Sequence, residues 1–173
     1  MRIFARLFNE IIIACRYCAA GLESFKSGDG AIRITLIPQG APLADLADLP
    51  NCADRYEFTA RINQHGNYVL NRANPDEPLV DTYAFSAMKT AAYLRQYESK
   101  QDNELREDCG FASYRGPVSF DICLNHRIVA LLIVCVSGGT EDEDEMVAMA
   151  AKSAIAKWCE YNKYDYNLSN PRT

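Results

Sequence analysis

The chain has 173 residues, 49% of them hydrophobic and 24% charged, with a net charge of −5 at pH 7. That length and composition suit one globular domain, which buries enough surface to fold without a metal or disulfide staple. The acidic balance argues against nucleic acid and anionic membranes as partners, because phosphate binding needs a basic face.

The first predicted element is a helix. Phe4, Phe8, Ile11, Cys15, Cys18, Leu22 and Phe25 recur at helical spacing and form one apolar stripe. Its predicted stop is Ser27-Gly28-Asp29-Gly30, where glycine permits a left-handed cap. Arg2 and Arg6 ahead of Ile11-Ile12-Ile13-Ala14-Cys15 faintly resemble a signal peptide. Asn9 and Glu10 interrupt that apolar run, so the expectation is a helix of the mature domain. The cysteines are odd in number and scattered in apolar surroundings, which points to a reduced, cytoplasmic setting. The best apolar stretch, Ile128 to Val136, is too short to cross a bilayer.

Ile32 to Ile37 alternates as a strand does, and Pro38 ends it. Residues 39–55, with Gly40, Pro42 and Pro50, read as an insertion. Tyr56 to Ile62 and Tyr68 to Asn71 read as a hairpin turning at Gly66. A middle helix starts at Asp81 or Thr82, with Tyr83, Ala87, Ala91 and Leu94 as its core stripe and Lys89 on another face. Val118 to Leu124 and Arg127 to Val136 form a second hairpin around Asn125-His126, and the second of these strands is apolar enough to be central. Thr140 and Glu143 form a capping box for the last helix, whose stripe is Val147, Ala151, Ala154, Trp158 and Tyr161. The polar tail, residues 165–173, is expected to fray. The sum is an α+β domain over residues 1–173. It has a mostly antiparallel sheet of about five strands, from two hairpins plus one extra strand, packed with N-terminal, middle and C-terminal helices.

Three stretches in this order resemble the GlcG/HbpS-like family of haem- or cofactor-associated domains. They are Phe58 through Leu70, Asp81 through Ala91, and Val136-Ser137-Gly138-Gly139-Thr140 with the acidic run behind it. Gly110 through Val118 resembles the family's approach to its second hairpin. The resemblance spans roughly Arg55 to Lys157. It implies a small sandwich with an antiparallel sheet, assembly into a homo-oligomer, and a small-molecule or cofactor pocket, with haem bound in some branches. It brings Lys89 forward as a pocket cation for a carboxylate or propionate. Two departures stand out. Residues 31–55 add a strand and a proline-containing loop, and the only histidines, His65 and His126, fall in predicted turns rather than on the first helix.

Each candidate residue also has a plain structural reading. Lys89 off the core stripe is, by default, an exposed lysine. Arg115 beside Tyr114 on a glycine-flanked loop is either a second anion contact or an ordinary loop pair. Cys15 and Cys18 form a CxxC, yet they sit mid-helix on the apolar stripe, where cysteine serves as a small hydrophobe. Gly138-Gly139 ahead of a helix invites a phosphate, but the five acidic residues that follow repel one. The acidic run itself suits a divalent cation or simply a capped, solvated helix start. No serine or cysteine can be placed beside either histidine, so no nucleophile–base pair is argued and no metal site is assigned. Tyr161, Tyr164 and Tyr166 crowd the end of the last helix and suit an oligomer contact. Three functions are open at this point: a non-catalytic ligand-binding oligomer, a scaffold subunit without a ligand, and an accessory enzyme in haem handling.

Overall fold

The computed structural model describes residues 3–26, 30–39, 55–63, 82–99 and 117–169. In chain order these form α1 (Ile3–Ala19), α2 (Glu23–Lys26), β1 (Ala31–Pro38), β2 (Tyr56–Arg61), α3 (Thr82–Ser99), β3 (Val118–Leu124), β4 (Arg127–Ser137), α4 (Glu141–Met149), α5 (Ala151–Asn162) and β5 (Asp165–Ser169). The strands make one antiparallel sheet in the order β2-β1-β4-β3-β5. The fold is α+β, as the element pattern predicts.

β4 lies in the middle because every residue from Ala130 to Ser137 is apolar or small enough to be buried on both sides. Its hairpin with β3 turns on Asn125 and His126, both left-handed at φ 50° and 63°. Two successive positive φ values define the tight turn whose twist matches its strands.

Side chains alternate across the sheet, so its two faces differ. One face carries Ile32, Ile34 and Leu36 from β1, Val118, Phe120 and Ile122 from β3, and Ala130, Leu132, Val134 and Val136 from β4. α1, α4 and α5 cover it. Phe4 meets Trp158 at 5.0 Å between ring centroids, joining α1 to α5. The other face is covered by α3, where Tyr93 and Leu94 pack on Leu131 and Ile133.

Several expectations need correction. The first helix ends at Ala19, well before Ser27. The amides of Gly21 and Leu22 bond back three residues, to Cys18 and Ala19, tightening the chain out of the helix. Phe25 still reaches the core, from α2. The last helix is divided at Ala150 into α4 and α5, and Tyr161 lies outside its stripe, 80% exposed. The tail does not fray over Asp165–Ser169, which pairs along β3 as β5. Lys163 caps α5 in the left-handed conformation, φ 60°, and the Tyr164 amide bonds back to the Cys159 carbonyl. Tyr164 then stacks on Trp158 and Tyr166 lies near Phe120, so two of the three tyrosines are packed within the chain. β2 pairs with β1; Tyr68 to Asn71, nearly all of the 39–55 insertion, His65, Tyr114 and Arg115 lie outside the described residues.

Candidate functional site

The layer between α3 and the sheet is polar, and it is the least ordinary part of the described structure. α3 turns Thr82, Ser86, Lys89, Thr90 and Tyr93 inward, all of them buried. The predicted stripe of Tyr83, Ala87, Ala91 and Leu94 is therefore corrected: Tyr83 and Ala87 are half-buried, Ala91 is exposed, and only Leu94 is core. Lys89, whose default reading was an exposed lysine, is 3% exposed. Small polar side chains allow the helix to approach the sheet: Ser86 accepts from Arg33 while donating to the Tyr83 carbonyl, and Thr90 donates to the Ser86 carbonyl.

Lys89 Nζ lies 2.6 Å from Asp144 Oδ2 and 3.4 Å from the Val136 carbonyl oxygen. Its charge also sits 5.6 Å from the centre of the Phe85 ring. Lys89 thus holds a carboxylate, but one supplied by this chain. Asp144 is buried as well, and its Oδ1 accepts from the Gly139 amide at 2.9 Å. Burial pushes the Asp144 carboxyl up, and the Lys89 ammonium and the Gly139 amide oppose that rise.

The same contacts settle how the Gly-Gly turn is used. Gly138 takes φ 143°, a value side chains rarely adopt. A Cβ on Gly139 would stand 2.9 Å from the Phe25 ring. Glu143 completes the capping box, accepting from the Thr140 amide at 2.9 Å while Thr140 Oγ1 accepts from the Glu143 amide. Ser24 also donates to Glu143, at 2.6 Å, and these bonds hold the Glu143 carboxyl below the usual carboxylate range. Carboxylates of the chain already take the amides of Gly139 and Thr140, where a phosphate would bind.

Across the layer, Arg33 donates to Ser86 at 3.3 Å and to Glu57 at 2.9 Å. The hydroxyls of Tyr93 and Ser119 are 2.7 Å apart, and Ser119 also donates to the Ser169 carbonyl at 3.0 Å. Thr35 lies between Arg33 and Ile37 on β1, fully buried, and among the described residues its hydroxyl has no partner. One oxygen of Asp121, two residues from Ser119, has none either. Burial raises the Asp121 carboxyl, against a lowering hydrogen bond with Ser169. Cys135 is buried in the same layer, and desolvation pushes its thiol up to about 12.

The other described cysteines fit the same pattern. Cys15 is fully buried, with its thiol pushed up to about 12 by desolvation first and Cys18 second; Cys18 is raised by burial too. A thiol held neutral in this way is a poor nucleophile and metal ligand. His126 sits exposed at its turn. The described residues contain no group of three potential metal ligands. Among the described residues no histidine faces the polar layer, and the Lys89 ammonium is paired with Asp144. No described helix is long and apolar enough to cross a membrane. In comparisons with known proteins, no family model, no curated protein and no solved structure matches the chain.

Sequence reasoning missed Asp144, Thr35, Ser119 and Tyr93. The spacing of Thr82, Ser86, Lys89 and Tyr93 is the signal that could have exposed the inward face of α3. It is overlooked because polar residues are by default assigned to solvent.

Proposed function

We propose that the chain is a non-catalytic binding protein of the GlcG/HbpS-like kind that works as a homo-oligomer and holds a small polar molecule between α3 and the sheet. The observation that carries this reading is the buried Thr35 hydroxyl without a partner, set in a layer of hydrogen-bonding groups. An orphaned hydroxyl costs stability, about 1–3 kcal/mol, and an apolar residue of the same shape would avoid that cost. A ligand that bonds to it recovers the loss. The Arg33 guanidinium, the Ser119 and Tyr93 hydroxyls and the Asp121 carboxyl supply further donors and acceptors nearby. α3 rests on the sheet largely through side-chain hydrogen bonds, so it is the element that lifts to admit a ligand. The neutral thiols and the lack of a nucleophile–base pair among the described residues support binding over catalysis.

The test is ligand-induced thermal stabilisation of the wild type and of Thr35→Val, with haemin followed by absorbance and with a panel of small carboxylates and phosphates. A saturable rise in Tm that shrinks in Thr35→Val supports the reading. A rise with haemin and a defined Soret shift selects haem. No rise with any probe sinks the reading and leaves an assembly subunit without a ligand. That second reading is favoured by the exposed Ile13, Tyr17 and Met146 on the outer helical layer, at 61%, 87% and 53%.

A further inference from the structure

β5 closes one end of the sheet, and its geometry bears on how two copies meet. One side of the strand pairs with β3 over its whole length, from Asp165 opposite Cys123 to Ser169 opposite Ser119. Among the described residues nothing pairs with the other side. Sheet edges invite pairing, and proteins usually blunt them with lysine, proline or a bulge. Asp-Tyr-Asn-Leu-Ser has none of these, and its register with β3 is unbroken. Leu168, a large apolar side chain, is 47% exposed at this edge.

We propose that β5 pairs antiparallel with β5 of a second copy of this chain, about a two-fold axis at Asn167, so that one sheet runs through both copies. This rests on the homo-oligomer part of the reading above and says which surface performs the assembly. Centring on Asn167 is the register that uses the whole strand. It sets Asp165 opposite the second copy's Ser169, a carboxylate facing a hydroxyl, and keeps the two Asp165 charges apart. It sets Tyr166 opposite Leu168 on the helix-covered face, an aromatic–aliphatic pair of the kind that stabilises antiparallel strands. It sets the two Asn167 amides opposite each other, where each can donate to and accept from the other. A two-fold operator makes these pairings mutual and closes the assembly at two copies, so the edge is used up instead of propagating a fibre.

The experiment measures mass by light scattering over a range of concentrations for the wild type and Leu168→Lys. It also oxidises a mixture of Tyr166→Cys and Leu168→Cys chains. The expected result is a wild type that approaches twice its chain mass of 19.4 kDa, and a Leu168→Lys variant that stays at one chain mass with its thermal transition retained. The mixed cysteine chains should then give several-fold more cross-linked dimer than either chain alone, because opposed residues of antiparallel strands lie within disulfide reach. A wild type larger than one chain whose mass Leu168→Lys leaves unchanged overturns the edge pairing and spares the oligomer reading. A wild type at one chain mass throughout overturns both. If Leu168→Lys fails to fold, the cross-link decides, and no excess of mixed dimer overturns the pairing.

Discussion

The two faces of the sheet are held by different physics. Under α1, α4 and α5 the contact is apolar, built from side chains such as Phe4, Ile34, Phe120 and Leu132. Its stabilisation follows from area removed from water, about 25 cal/mol per Å² of apolar surface, and has no preferred direction. Under α3 the contact is mostly polar and directional, with distances of 2.6–3.4 Å from Lys89, Ser86 and Tyr93 to their partners. The first face tolerates exchange of similar volumes. The second fails when one partner is removed alone, because the other is left buried and unsatisfied.

The largest expected effect tests that contrast at the ion pair. Asp144→Ala should cost about 3–5 kcal/mol in urea unfolding, since it leaves the Lys89 charge buried and alone. The double variant Lys89→Met with Asp144→Leu should recover most of that loss; a double variant as unstable as the single would break the comparison. Lys89→Met alone removes the cation that opposes the rise of the Asp144 carboxyl. The folded-state value then climbs further above the unfolded value of about 3.9. A carboxyl raised on folding contributes stability that is complete below the unfolded value and lost as pH rises through the folded one. Urea unfolding of Lys89→Met should therefore show highest stability in acid and a decline towards neutral pH.

Ile34→Ala, on the apolar face, should cost about 2–5 kcal/mol through lost burial and the cavity left behind. Thr140→Ala should cost about 1 kcal/mol by removing the hydroxyl that caps α4. Glu143 is held below its usual range by Ser24 and Thr140, so its share of stability is present above the unfolded value and fades as pH falls through the folded one. The penalty of Thr140→Ala should accordingly shrink in acid, read by thermal unfolding across that range. The smallest effect sharpens the comparison most. Thr35→Val, one residue from Ile34, should raise stability by about 1 kcal/mol, the low end of the cost of a buried unsatisfied hydroxyl, because it deletes that hydroxyl. A loss as large as that of Ile34→Ala would show that Thr35 has a partner.

The same contrast separates what could be read from the sequence from what could not. Apolar periodicity reports which side chains leave water, so the α1 stripe, the central β4 and the stripe of α4 and α5 as far as Trp158 were legible. So were the Asn125-His126 turn and the Thr140–Glu143 box, whose signals are local. The inward face of α3 was not, because its residues are buried by pairing with Arg33, Ser119 and Asp144, which are distant in sequence. Lys89 stands out in the sequence by lying off the apolar stripe, but its burial against Asp144 was not legible, because Asp144 reads as one more charge in a solvated acidic run. β5 was missed because its polar residues resemble a tail, and its pairing with β3 follows from a left-handed Lys163 where glycine would have announced the turn.

The strand order also has a consequence during synthesis. β1 leaves the ribosome well before β4, its neighbour on one side, with Ala31 opposite Ser137. β3 and β4, joined by a two-residue turn, can close within about 1–10 μs once both are made. β1 must wait until the chain out to Ser137 is made before that side is covered, and closing so long a loop is the slow, entropy-limited step. In the interval Ile32, Ile34 and Leu36 have no β4 beside them and α1 has no α5 to cover its stripe. The N-terminal part of this chain is therefore the one that nascent-chain chaperones would hold longest.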